Sequence, residues 1–396
     1  MNTKLKSLLF FPLSLFLPLD IAANSATNLQ QEQQSYQTRL DDLISDHIPG
    51  AILYVKTPER EFWGSAGLSN LSTKEPMPID GVMPNGSAGK KVTALLVAML
   101  HEEGLLDMDA PVNSYLSKEY LTQIKHSDTM TIRQLLNHTS GIFEYNDSED
   151  YAFFKAQFSD SKTIKTDELP LSFALNREAH FRPGESFSYS NTGYALVGVI
   201  LKKILRKHPA SAIRERILEP LEMTSSYSKA IERHEPALIS GYFINDADPK
   251  FPLPLNVWID MKKYIGNVAL SDAPLASNAK DMATILRSIV NENTTISPSV
   301  RENMIGSRNL VDAWGPRFYQ GSDFYYGLGV FVEDIGGQRL YHHGGTEFGY
   351  YTQNIYIPEQ DTSITAFANC GVNERCEDDF QHFTLQILDS LLNMKR

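Results

Sequence analysis

Polar and apolar positions along the chain change their period twice. Ala51–Val55 and Glu61–Gly64 are short β-rich runs with a turn at Thr57–Glu59 between them, a pattern that predicts a hairpin. From Ser87 the period lengthens. Val92, Leu95, Leu96, Ala98, Met99 and Leu100 recur at helical spacing and Gly104 supplies a stop, so a helix is predicted over 87–103. Helical periodicity, broken by Pro, Gly and Asn, continues to about residue 290; Ile132–Leu136, Tyr194–Leu205 and Asp281–Val290 are its clearest segments. After residue 320 the texture returns to strands at Gly327–Val332, Gln338–His342, Tyr350–Ile357 and Ser363–Ala368, and Asp378–Met394 is again helical. The polar stretch Asn28–Gln37 reads as a helix start or a loose arm.

Strands at both ends with helices between them predict an α+β fold: an antiparallel sheet assembled from both ends of the chain, with a mainly helical lobe inserted and a cleft between the two. The expected division is a sheet-containing subdomain over 38–86 plus 291–396 and a helical one over 87–290. Ahead of these, Lys4 and Lys6 precede the apolar run Leu8–Leu19, and the small residues Ala22, Ala23, Ser25 and Ala26 follow. Basic, apolar, small is the order of a signal peptide, here expected over 1–23, with export to a periplasm or outside the cell. Pro12 and Pro18 and the short run argue against a transmembrane span, so membrane contact is expected only if the leader stays uncleaved.

The formal charge of −12, with acidic residues scattered, argues against nucleic acid as a partner. Cys370 and Cys376 can close a small disulfide loop in an exported protein; two free thiols fit the sequence as well. No metal and no cofactor is expected, since apart from the pair His342 and His343 the histidines lack ligand spacing.

Three short motifs carry chemistry. In Ser87-Ala88-Gly89-Lys90 a hydroxyl and an amine lie one helical turn apart, where the amine can take the hydroxyl proton. The helix N-terminus adds backbone N–H groups that can hold an oxyanion. In Tyr189-Ser190-Asn191 the phenol can pass a proton to a leaving group and the amide can both donate to and accept from a substrate amide. In His343-Gly344-Gly345 the glycine lets strand backbone approach a ligand closely, and the imidazole can donate to a substrate oxygen. Each motif alone also has a plain structural reading: an N-capping serine, a buried Tyr beside an Asn turn, a Gly-rich turn.

Together and in this order, the motifs resemble those of the serine β-lactamase and penicillin-binding protein superfamily, Ser-x-x-Lys, Tyr-x-Asn and Lys/His-x-Gly. The form present here is most similar to the branch that holds class C β-lactamases, D-alanyl-D-alanine carboxypeptidases, D-aminopeptidases and related esterases. Ile48-Pro49-Gly50-Ala51, Leu135 to Gly141, Glu219 to Met223 and Tyr326-Gly327-Leu328-Gly329 extend the likeness over roughly residues 38–392. The resemblance implies Ser87 as acylated nucleophile, Lys90 and Tyr189 as the acid–base pair, and Asn191, His343 and Gly345 at the substrate. It also implies an oxyanion hole from the backbone N–H groups of Ser87 and Thr346. A D-alanyl-D-alanine carboxypeptidase or D-amino-acid peptidase is the leading expectation, with an esterase, a β-lactamase or a slowly acylating penicillin-binding sensor as alternatives. The partner is then a small peptide, ester or β-lactam.

Overall fold

A computed structural model describes residues 19–392 except 233–236, 293, 314–317 and 336, with side chains from residue 31 onward. The expected leader falls on residues 1–18 for most of its length, outside the described residues. Helix α1, Leu19–Leu43, leads into the hairpin β1 (Gly50–Lys56) and β2 (Glu61–Asn70), followed by the short β3, Glu75–Pro76. Asn28–Gln37 is therefore the middle of a helix rather than a loose arm.

The helical middle holds α2 (Lys90–Glu102), α3 (Asn191–Leu205) and α4 (Ala279–Val290) among shorter pieces. Helices α3 and α4 start where the sequence supplies caps: the Ser190 hydroxyl accepts from the Gly193 N–H, and the Asn278 side chain accepts from the Asp281 N–H. Helix α2 has no such cap, but it is apolar around most of its surface and lies in the core, where packing replaces capping.

The C-terminal part adds β4 (Val311–Asp312), β5 (Asp323–Tyr326), β6 (Phe331–Ile335), β7 (Gln338–His342), β8 (Gly345–Glu347), β9 (Tyr350–Ile357) and β10 (Thr362–Ala368), then α5 (Glu374–Leu392). These strands and the N-terminal three form one ten-stranded sheet in the order β4-β5-β6-β7-β9-β10-β1-β2-β3, with β8 paired to β9. Every pairing in it is antiparallel, and β1 and β10, from opposite ends of the chain, are neighbours with Ala51 opposite Ala368.

The central strands are buried on both faces, which explains why they read as nearly unbroken apolar runs. On β1, Ala51, Leu53 and Val55 join a core with α1 and α5, while Ile52 and Tyr54 point to the opposite core that holds α2. Helix α4, inside the segment expected to be the helical lobe, packs against β1, β9 and β10.

The expected strand Gly327–Val332 is a correction. Residues 327–330 are the turn that joins β5 to β6, in which the Gly327 N–H donates to the Val330 carbonyl at 2.8 Å, and only Phe331 and Val332 are strand. Gly329 there has φ +73, and a Cβ on it would lie 2.6 Å from the Lys91 Cα. The glycines serve a sharp reversal pressed onto α2, which β-rich neighbours conceal in the sequence.

Candidate active site

Ser87 lies in a 3₁₀ turn, Gly86–Gly89, that runs directly into α2 at Lys90, so the α-helix predicted from residue 87 begins three residues later. In a 3₁₀ turn side chains at i and i+3 eclipse, which sets the Lys90 amine over the Ser87 hydroxyl. Lys90 is fully buried, and its Nζ donates to Ser87 Oγ at 3.1 Å, to Asn191 Oδ1 at 2.7 Å and to the Asp272 carbonyl at 3.1 Å. The Tyr189 and Tyr194 rings flank it at 5.1 and 5.2 Å. The ammonium form thus has an acceptor for each N–H, and loss of one proton leaves a lone pair directed at Ser87. Lys91, beside it, is also fully buried, donates to the Ala88 carbonyl and is pushed down to about 7 by burial.

The Tyr189 hydroxyl is buried without a hydrogen bond among the described residues. Burial pushes its proton affinity up, while Lys90 and Ser87 nearby oppose that. His138 fixes the ring: the two rings are 4.1 Å apart at their centroids, and His138 Nδ1 accepts from the Ser190 N–H at 3.0 Å. Burial first, then the Lys90 charge, holds His138 well below the usual histidine range, so it is a neutral ring.

Asn191 opens α3 and passes the Lys90 charge to a carboxylate. Its Nδ2 donates to Glu144 Oε1 at 3.0 Å, and its backbone N–H and that of Thr192 donate to Glu144 Oε2 at 2.6 and 3.2 Å. Glu144 therefore sits on a helix N-terminus, where a negative charge is favoured. Burial nevertheless pushes its carboxyl up, against the lowering effect of those donors.

His343 is 2% exposed, in the kink between β7 and β8. Its Nδ1 is 2.6 Å from the Gly344 carbonyl, which only accepts, so the proton is on Nδ1. Nε2 then accepts from the Tyr326 hydroxyl at 3.1 Å. Burial, then the Lys91 charge, holds the ring well below the usual range. The imidazole expected to donate to a substrate oxygen is thus neutral, with both nitrogens already engaged. His342, expected to point away, lies 3.6 Å from Glu333 but also forms part of the same cavity wall.

Gly345 behaves as the close-approach glycine read from the sequence. A Cβ there would lie 2.1 Å from the Asn85 carbonyl oxygen, 2.6 Å from the Ala88 nitrogen and 2.8 Å from the Ser87 nitrogen, all backbone. On the other side, a Cβ on Gly86 would lie 2.9 Å from the Thr346 nitrogen. The backbones of Ser87 and Thr346 are held side by side, and two cavities meet at these residues. One, of about 410 Å³, is walled by Tyr189, His343 and Phe331; the other, of about 200 Å³, by Asn191, Asp272 and Phe348.

The beta-lactamase family matches residues 27–385 of the sequence. The chain belongs to the beta-lactamase family. Penicillin-binding protein 4* of Bacillus subtilis (strain 168) is 26% identical over 348 residues, 85% of this chain and 71% of that protein. Protein flp of Staphylococcus aureus (strain COL) is 25% identical over 360 residues, 90% of this chain and 67% of that protein. Among solved structures, a D-amino acid amidase from Ochrobactrum anthropi SV3 superimposes with a TM-score of 0.74 at 22% identity, covering 91% of this chain and 99% of that one. A D-stereospecific amidohydrolase from Streptomyces sp. superimposes with a TM-score of 0.70 at 23% identity, covering 87% and 96%. The beta-lactamase family is one of serine hydrolases acting on small amide, peptide or β-lactam substrates, and its fold is the one described above.

For a member of the beta-lactamase family, the site brings Ser87, Lys90, Tyr189, Asn191, His343, Gly345 and Thr346 to one place, from three separate stretches of chain. Sequence reasoning missed Glu144 and the support given by His138, and it passed over Asp272, whose main-chain oxygen holds Lys90. A further cavity, of about 870 Å³ around Trp258 and Lys229, is lined by none of the motif residues. His101, Asp107 and Asp109 bring ligand-type atoms within 4.8 Å of one another on the surface, but Arg133 already holds Asp109 by two hydrogen bonds.

Proposed function

We propose that the protein is an acyl-enzyme amidase or peptidase, with Ser87 as nucleophile, for small substrates that carry a D-configured residue. The observation that carries the reading is the Ser87–Lys90 contact of 3.1 Å, buried where the two cavities meet. Lys90, after giving up one of its three protons, takes the Ser87 proton as Oγ bonds to the substrate carbonyl carbon. The resulting oxyanion accepts from the backbone N–H groups of Ser87 and Thr346. The C–N bond then breaks as the Tyr189 hydroxyl gives its proton to the departing nitrogen, and Lys90 returns a proton to Tyr189. Water attacks the ester by the reverse route and restores Ser87.

This assigns the Tyr189 cavity to the leaving group and the Asn191 cavity to the acyl residue. Terminal carboxylates, as in a carboxypeptidase substrate or a penicillin, gain little from a neutral His343 whose nitrogens are both engaged. We therefore favour amide hydrolysis over the carboxypeptidase reading, and the likeness to two enzymes named for D-amino-acid amides and D-stereospecific amide hydrolysis supports it. The basic–apolar–small leader and the bond between Cys370 and Cys376 support export to an oxidising compartment.

An activated-ester probe and mass spectrometry of the purified protein test the nucleophile. A label on Ser87 is expected, with D-amino-acid amides turned over and Ser87→Ala reducing kcat by on the order of 10⁴-fold or more. A label elsewhere, or a Ser87→Ala enzyme that keeps most of its turnover, refutes the assignment.

A further inference from the structure

Two carboxylates in the acyl cavity each have one oxygen in use and one idle. Asp272 is 6% exposed; its Oδ2 accepts from the Tyr145 hydroxyl at 2.8 Å, while Oδ1 is buried without a partner among the described residues. Glu347 has an 11% exposed side chain; its Oε1 pairs with the buried Lys229, while Oε2 is buried without a partner among the described residues. Both residues line the cavity of about 200 Å³ that Ser87 and Asn191 also line. They are close enough to act on one another: burial, and with it the Asp272 charge, raises the Glu347 carboxyl.

The charge around this cavity is unbalanced. Glu144, Asp272 and Glu347 supply three carboxylates, against the two amines of Lys90 and Lys229. Lys90 spends its three N–H bonds on Ser87, Asn191 and the Asp272 main chain, so it cannot satisfy either idle oxygen. Buried carboxylate oxygens are ordinarily hydrogen-bonded, and two idle ones in a single cavity beside a nucleophile mark the place of a missing donor. The remaining wall is mainly apolar, with Phe153 and Phe348 among its residues, and the amides of Asn146 and Gln157 that also line it donate to neither idle oxygen.

We infer that the acyl cavity is built to receive a substrate ammonium on the carbon next to the scissile carbonyl, held by Asp272 and Glu347. The class of substrate is an amino-acid amide, or a short peptide cut after its first residue, with a free α-amine and an apolar side chain. An ammonium has three donors and no acceptor, which suits two acidic oxygens and repays their burial by charge. An acylated amine has one donor and no charge, and leaves at least one carboxylate oxygen idle. The inference rests on the Ser87 acyl-enzyme reading and adds to it which end of the substrate is recognised.

The test compares one D-amino-acid amide bearing an apolar side chain with its N-acetyl derivative, in the full-length protein. The free amine is expected to be favoured in kcat/KM by about 10²-fold or more, because a site built for a polar group discriminates strongly against its loss. Glu347→Gln and Asp272→Asn should each shrink that ratio at least tenfold, chiefly through KM. Since the ratio is read within each variant, a general loss of folding or chemistry cancels. The preference should also fade above about pH 8, where an α-amine loses its proton. Equal or better turnover of the acetylated amide, turnover of neither, or a ratio that neither substitution moves, overturns the inference while an activated-ester label on Ser87 still upholds the acyl-enzyme reading. Absence of that label overturns the reading itself.

Discussion

At the scale of single residues the site works by leaving few groups free. Lys90 has three acceptors, His343 has a partner on each nitrogen, and Asn191 joins Lys90 to Glu144. The His343 arrangement has a consequence for stability. Its folded pKa is depressed by burial, so below the ordinary histidine value of about 6.5 the unfolded chain binds a proton that the folded protein does not. Folding then loses about 1.4 kcal/mol per pH unit from this ring, a loss that a glutamine escapes. Urea unfolding of wild type and His343→Gln between pH 7.5 and 5.5 should show the wild-type advantage shrinking by about 1.4 kcal/mol in all, most of it below pH 6.5; a pH-independent difference would mean that the ring titrates normally. What the sequence revealed here follows from spacing. Ser87 and Lys90 are three residues apart, and such a pair can be read directly. Glu144 is a lone acid with no spacing partner, brought to Asn191 across 47 residues, and only the folded chain shows why it is there. Gly89 is a similar case. Its φ of −75 needs no glycine, but a Cβ would come within 2.9 Å of the Pro274 ring, a contact invisible in the local sequence.

At the scale of elements, periodicity located most helices and strands, and it failed where glycine turns interrupt β-rich sequence, as at Gly327–Gly329. The kink from β7 into β8 was legible only as a Gly pair; its purpose, to lay Gly345 against the Ser87 turn, is a matter of backbone contact. The connection from β10 to α5 was left open by two cysteines, and the structure bonds Cys370 to Cys376. That loop bears on the site, because Gly371 presses against the backbone of Glu347 and Val372 lines the acyl cavity. A loop this short removes roughly 2 kcal/mol of unfolded-state entropy when closed. Cys376→Ser should lower stability by about that amount in denaturant titrations under oxidising conditions, and a reducing agent should bring the wild type to the same midpoint. Identical curves with and without reductant would show that the bond contributes nothing.

At the scale of the whole molecule, the α+β plan could be read because strands flank helices in the order of the chain. The layer to which each helix belongs could not: α4 lies in sequence among the lobe helices and in space against the sheet. A helix covered on its apolar face looks alike whichever surface covers it. The pairing of β1 with β10 places residues some 300 positions apart at the centre of one sheet. A chain ending at residue 349 would keep Ser87, Lys90, Tyr189, Asn191 and His343 but lack β9 and β10. It should show neither a cooperative thermal transition nor labelling of Ser87 by an activated ester; a labelled, cooperatively melting fragment would show that the site can form without the central strands. The same pairing sets the order of events in synthesis. The nucleophile leaves the ribosome early, but the strands that close the sheet around β1 come last. Contacts this distant in sequence form slowly, and in a growing chain β1 has β2 beside it on one edge but no partner on the other until translation is almost finished. A protein built in this way stays open while it is made, and its Ser87 site is complete only once the whole chain is free.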